Sequence, residues 1–134
     1  MKYKSIIGQV VLDKNQHIRT VVTKLGQIES TYRFYDLECI AGDANSFETL
    51  VVEDKVRFNV DVSKVYWCSK LATERSRVIK DLIKDGDVIC DMFCGIGPLA
   101  VKACVKRKSV RCLANDLNPV GVQYLTKNIK LNRV

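Results

Sequence analysis

Two acidic residues each close an apolar run and open a turn: Asp91-Met92-Phe93-Cys94-Gly95-Ile96-Gly97-Pro98, and Ala114-Asn115-Asp116-Leu117-Asn118-Pro119. Gly95 and Gly97 let the backbone pass close to a ligand at the carboxyl end of a strand, where open α/β sheets bind small molecules. Asp116 follows Gly95 by 21 residues, the distance at which an acid takes a ribose diol. Gly95-x-Gly97-x-x-Ala100 also matches a relaxed dinucleotide fingerprint, so NAD is an alternative occupant. Asp91 separates the two ligands. A dinucleotide would bring its pyrophosphate against that carboxylate and be repelled. S-adenosylmethionine brings an ammonium and a sulfonium, which a carboxylate attracts.

The surrounding pattern supplies the elements that must position these loops. Val88 to Phe93 reads as a short strand buried on both faces. Pro98 can open a helix, where its missing N–H is not needed, running to about Lys106. Val110 to Ala114 reads as the next strand, and Asn118-Pro119 opens a helix to about Leu131. The β-α-β-α order predicts a parallel sheet with right-handed crossovers. Upstream, a helix is expected over Ser69 to Lys84 with a core stripe of Leu71, Val78, Ile79, Leu82 and Ile83, stopped at Gly86. Tyr3 to Leu12 carries apolar residues at amphipathic-helix spacing. Strands are expected at Ile18 to Lys24 and Tyr32 to Ile40, and a hairpin at Thr49–Val52 and Val56–Val62 around Glu53-Asp54-Lys55. Residues 1–57 thus read as a small α+β unit, and 58–134 as the opening part of a larger α/β domain.

Composition narrows the partner. The chain has 134 residues, 47% hydrophobic, and a formal net charge of +7. Residues 1–57 hold 8 Lys/Arg and 8 Asp/Glu, whereas 58–134 hold 14 and 7. The excess positive charge lies beside the ligand loops, which suits a polyanion such as RNA. No apolar run approaches the ~20 residues of a membrane span. The six cysteines show no metal-binding spacing, and reduced thiols without a metal are expected.

Several further segments carry a family resemblance. Ser63-Lys64-Val65-Tyr66-Trp67 and Leu71-Ala72-Thr73-Glu74-Arg75, with the two acidic loops, resemble the archaeal and eukaryotic tRNA (guanine-37-N1-)methyltransferase family, a class I S-adenosylmethionine-dependent group. Gly8 to Asn15, Ile18 to Lys24 and Tyr32-Arg33 resemble its middle domain. The resemblance implies an α/β fold: the first part of a Rossmann-like class I methyltransferase domain at 58–134, preceded by a small α+β domain at 1–57. It implies methyl transfer from S-adenosyl-L-methionine to N1 of guanosine 37 in tRNA. It assigns proton abstraction to Glu74, charge stabilisation at guanine O6 to Arg33, and shaping of the pocket to Tyr66. Cofactor contacts fall to Arg75, Asp91, Phe93, Gly95, Gly97, Asp116, Leu117 and Asn118.

The chemistry needs such a set, because guanine N1 is not a nucleophile until its proton leaves. A carboxylate of raised pKa takes that proton, and a cation at O6 stabilises the anion. Read from the residues alone, Glu74 falls ~80° from the centre of its helix stripe and is also placed to pair with Arg77. Aminocarboxypropyl transfer to a modified tRNA guanine, in wybutosine synthesis, is the alternative with the same cofactor; a fragment without catalysis is another. The family's N-terminal tRNA-elbow domain and its Asn-Pro-Pro segment have no counterpart here. The polypeptide by itself is therefore expected to bind the cofactor weakly and methylate little. A cytoplasmic monomer acting on tRNA without membrane association is expected, with nucleus and mitochondrial matrix left open.

Overall fold

A computed structural model describes residues 2–26, 31–32 and 34–134. The chain runs α1 (Lys4–Lys14), β1 (Thr20–Leu25), β2 (Asp36–Gly42), β3 (Glu48–Glu53), β4 (Val56–Asp61), a 3-10 turn (Ser69–Leu71), α2 (Ala72–Asp81), β5 (Val88–Asp91), α3 (Ala100–Lys106), β6 (Arg111–Ala114) and α4 (Pro119–Asn132). Strands pair as an antiparallel β1–β2, an antiparallel β3–β4 and a parallel β5–β6.

The first unit is a two-stranded sheet with α1 laid on it. Val21 faces Ala41 and Val22 faces Cys39, so Ile40 is an extra residue and the strand bulges there. Gly8 is the one buried residue of α1. A Cβ at Gly8 would lie 2.8 Å from the Ala41 side chain and 2.9 Å from the Ile40 carbonyl, so only glycine lets the helix seat on β2. The amphipathic stripe expected for α1 does not face a core: Ile6, Ile7 and Val10 are about half exposed. A two-stranded sheet is too narrow to cover it.

The β3–β4 hairpin turns through Asp54 and Lys55, with φ of 51° and 69°. Two consecutive left-handed residues give the tight turn whose twist matches the strands. Neither residue is glycine, so the turn carries backbone strain. Asp54 is held by Lys102 Nζ at 2.6 Å and by the Ser76 hydroxyl at 2.7 Å. The hairpin's buried face, Val56, Phe58 and Val60, packs with Val65, Cys94, Ile96, Val101, Tyr124 and Leu125 in one core.

The outer edge of β4 is satisfied by a helix rather than by a strand. Asn128 on α4 accepts from Asn59 N–H at 2.7 Å and donates to Asn59 C=O at 3.1 Å. Asn132, one turn on, does the same for Arg57 at 3.0 and 2.7 Å. The spacing matches because i and i+4 share a helix face and i and i+2 share a strand edge. Asn128 also donates to Ile96 C=O at 3.1 Å and is fully buried.

Several expected boundaries shift. The helix before β5 ends at Asp81, not Lys84, and Gly86 (φ 86°) turns the following loop, donating its N–H to Lys108 C=O. Arg107 reaches across to cap the end of α2, donating to Ile79 and Lys80 carbonyls at 2.6–3.0 Å. Of the expected stripe, Ile79 and Ile83 are buried, whereas Leu71 and Leu82 are exposed. β5 is not buried on both faces: Val88 is 59% exposed, and Leu113, paired with Cys90 on β6, is 67% exposed. Ile89 and Ala114 face the core made with Ile79, Ile83, Ala103, Tyr124 and Leu125, whereas Val88, Cys90 and Leu113 on the other face are exposed. α3 begins at Ala100, after a turn that includes Pro98.

Candidate functional site

β5 and β6 run in parallel register, Asp91 beside Ala114, so their two following loops emerge together. Cross-bonds lock the loops to each other. Cys94 N–H donates to Asn115 C=O at 2.8 Å, and Gly95 N–H donates to the Asp116 carboxylate at 2.7 Å. The other Asp116 oxygen accepts from Asn118 N–H at 2.9 Å. Asn118 caps α4 through Val120 N–H at 3.0 Å and donates to Lys64 C=O at 2.8 Å. Its amide is thus engaged at both ends.

Above these loops lies a hollow of about 690 Å³. Tyr66, Arg75, Phe93, Gly95, Asp116, Leu117 and Asn118, all expected from sequence, line it together. Tyr32, Tyr35, Leu71, Cys94, Ile96 and Pro98 line it too, and sequence reasoning did not select them. Tyr35 stacks obliquely on Tyr66 with ring centroids 6.2 Å apart, and Lys24 Nζ sits 3.4 Å from the Tyr35 centroid on the same cluster. An aromatic at alternating spacing from Arg33 was the available signal. Phe93 (89% exposed) and Leu117 (71%) stand as bare apolar walls of the hollow.

The two glycines divide the work. A Cβ on Gly95 meets nothing within 4 Å, so that position opens onto the ligand space. A Cβ on Gly97 would lie 2.4 Å from Leu125 and 3.0 Å from Val101. Gly97 faces inward and lets α4 approach the turn; it does not line the hollow.

Asp91 also stands back from the lining, at the end of β5. Burial pushes its carboxyl above the ordinary carboxylate value, and the Asp116 charge pushes the same way. Burial raises the Cys94 thiol to about 12, with help from Asp91 and Asp116, so it is a packing group and not a thiolate. Neither carboxylate has an ion-pair partner among the described residues, and two like charges that raise one another's cost favour a positively charged occupant.

One expected site residue, Glu74, stands apart from the others. Glu74 does not line the hollow. It is paired with Arg77 at 2.7 and 2.8 Å, half exposed, and that hydrogen bond holds its carboxyl below the ordinary value. A base with a raised pKa was the expectation; on this exposed helix flank the neighbouring guanidinium sets the opposite direction. Arg33 lies outside the described residues. Arg75 is neither solvated nor free. Its Nε and Nη2 fork onto Glu53 at 3.0 and 2.6 Å, and its guanidinium lies 5.3 Å from the Trp67 ring centroid. Trp67 packs on Phe58 with centroids 5.9 Å apart.

The residues present fit S-adenosylmethionine. The volume suits a small-molecule ligand, the walls are apolar and aromatic, the Gly95 backbone is open to close approach, and the Asp116 carboxylate lines the hollow with the Asp91 charge behind it. Among the described residues no cluster of three His, Cys, Asp or Glu groups is placed to hold a metal, and no helix is long and apolar enough to cross a membrane.

A parallel β-α-β-α unit with an acid-edged hollow at its strand ends is the class I methyltransferase type of α/β fold. Residues 49–134 match the model of the TRM5/TYW2 methyltransferase domain, and the chain belongs to that family. Residues 1–46 match the TYW2 N-terminal domain. A tRNA (guanine(37)-N(1))-methyltransferase of Batrachochytrium dendrobatidis is 48% identical over 132 residues, 98% of this chain and 27% of that protein. The structure of aTrm5 in complex with tRNALeu superposes with a TM-score of 0.85 at 35% identity, covering 98% of this chain and 38% of the other. Trm5 of Methanocaldococcus jannaschii in complex with adenosine gives 0.78 at 32% identity, covering 98% and 38%. The chain therefore spans about a quarter to two fifths of the length of these proteins.

Proposed function

We propose that this chain contributes the cofactor cradle and the base-side residues for methyl transfer from S-adenosyl-L-methionine to N1 of guanosine 37 in tRNA. The observation that carries the reading is the hollow itself: Tyr66, Arg75, Gly95 and Asp116 converge on one space at the carboxyl ends of two parallel strands. The bound cofactor supplies an electrophilic methyl group. Asp91 and Asp116 provide the negative field that draws its cationic tail. Gly95 lets the nucleoside approach the turn, and Phe93, Ile96 and Leu117 exclude water from its apolar face.

Tyr66, backed by Tyr35, offers a flat surface against which a purine can lie. Glu74, one residue before Arg75, is the group that accepts the N1 proton, and its pair with Arg77 opens when the base enters. Arg33 stabilises charge at O6. The junction expected at 57/58 is proposed to fall instead before Glu48; the core that Val56, Phe58 and Val60 share with Val101, Tyr124 and Leu125 supports that reading. The cytoplasm is the compartment that fits this activity.

A chimera tests the reading. Residues 1–134 replace the matched segment of the Batrachochytrium dendrobatidis relative, and the product is given unmodified tRNA transcript and cofactor. Nucleoside mass spectrometry is expected to find 1-methylguanosine at position 37, and none in a transcript with adenosine there. No methylated guanosine would contradict the proposal. An aminocarboxypropyl adduct on a pre-modified tRNA would favour the TYW2 side of the family instead, which the match of residues 1–46 keeps in view.

A further inference from the structure

Arg75 joins the hollow to a charge cluster whose other members, Glu53, Asp54 and Lys102, the proposed cofactor contacts do not use. Lys102 on α3 is 1% exposed. Its Nζ donates to Glu53 at 2.9 Å and to the Ser76 hydroxyl at 2.8 Å, and it pairs with Asp54 at 2.6 Å. That accounts for all three ammonium protons. Glu53, 7% exposed, receives Lys102 on one oxygen and the Arg75 fork on both. Arg75 Nη2 also donates to Cys68 C=O at 3.3 Å.

A guanidinium has five N–H groups. Nε and Nη2 account for three of them, all directed at the protein. The Nη1 pair has no partner among the described residues, and Arg75 lines the hollow. We propose that Glu53 and Lys102 are positioning residues: they clamp one edge of the Arg75 guanidinium so that its other edge faces an anionic group of the hollow's occupant. For the identity of that group, the cofactor's carboxylate, the inference rests on the reading above; for the clamp it rests on the contacts themselves.

Lys102 is the part that makes the clamp work. Two carboxylates, Glu53 and Asp54, face two cations, Arg75 and Lys102, and the cluster is neutral. Without Lys102, both acids would draw on Arg75 and pull its fork toward the hairpin. Without Glu53, Arg75 keeps only the Cys68 carbonyl and the Trp67 face, and its long side chain regains its rotamers.

Two measurements on the 134-residue chain test this. The first is the Arg75 Nε–H resonance in nitrogen-15 spectra. It is expected to be resolved and slow to exchange in the native chain, and to merge with the exposed arginines in Glu53→Gln. That variant leaves Lys102 paired with Asp54 and Ser76 and so keeps the fold. If it does not fold, Glu53→Gln/Lys102→Met removes both buried charges together and takes its place. The second compares titration with S-adenosylhomocysteine, which carries the carboxylate, and with methylthioadenosine, which lacks it. Glu53→Gln is expected to weaken the first about tenfold and leave the second within about twofold.

An unchanged Arg75 resonance in a folded variant would overturn the clamp. Equal losses for both ligands would overturn the positioning role and leave a merely structural one. If the native chain binds neither ligand, the cofactor reading fails, while the resonance still decides the clamp.

Discussion

At the residue scale the two glycines of one turn should fail differently. Gly97→Ala meets Leu125 at 2.4 Å and keeps a φ of 85°, so it is expected to destabilise the fold by more than 2 kcal/mol, as overpacking and left-handed strain together do (about 1–3 and about 1–2 kcal/mol). Gly95→Ala has an open Cβ and a φ of 55°; it is expected to cost only about 1 kcal/mol in a urea melt while weakening cofactor uptake in calorimetry. Asp91 gives a second contrast. Its folded pKa is raised, so its charged form is disfavoured in the fold, and the stability it adds is present when protonated and lost as pH rises through the folded value. Asp91→Asn is therefore expected to raise the melting temperature of the unliganded chain at pH 7 and to weaken cofactor binding. A lower melting temperature would show that the charge is compensated.

Most of the hollow was legible at this scale. Acids, glycines and aromatics advertise themselves by type and spacing, and Tyr66, Arg75, Phe93, Gly95, Asp116, Leu117 and Asn118 do converge. What stayed hidden was the partner of each group. The Glu74–Arg77 pair could be read from one-turn spacing, but that Asn118 reaches Lys64 and that Arg75 is clamped by Glu53 depend on distances between segments 54 and 22 residues apart in sequence. Lys102 was missed although it sits between Val101 and Ala103 on a buried helix face, where a lysine is costly unless paired.

At the element scale the hairpin, the parallel pair and the four helices followed from period and turn residues, because those signals are local. The exposure of β5 and of α1 did not, because a strand's apolar run reports what it can bury, not what covers it. The α4 asparagines show how an element docks. Asn128→Leu removes the partners of Asn59 N–H, Asn59 C=O and Ile96 C=O and leaves three buried polar groups unmatched. At about 1–3 kcal/mol each, less relaxation, a loss of about 3 kcal/mol in urea unfolding is expected. A loss under about 1 kcal/mol would mean that α4 is held by its apolar face alone.

At the scale of the molecule, charge decides two behaviours. The net +7 lies in residues 58–134, beside the hollow. Affinity for tRNA is expected to fall at least about tenfold between 50 and 200 mM salt in fluorescence anisotropy, since phosphate contacts release counterions. A flat salt response would take RNA off this face. Acid should loosen the hairpin first. Burial pushes the Glu53 carboxyl up, but hydrogen bonds from Arg75 and Lys102 outweigh it and hold it below the ordinary value. The stability it adds is present above the unfolded value and lost as pH falls through the folded one.

The central claim is that the loops after β5 and β6 hold S-adenosylmethionine in the field of the Asp91 and Asp116 carboxylates. Calorimetric titration of the cofactor into the native chain and into Asp91→Asn/Asp116→Asn tests it most directly. One saturable site in the first and at least a tenfold weaker one in the folded second is the predicted result. Equal uptake by both, or no uptake by the native chain, would contradict it.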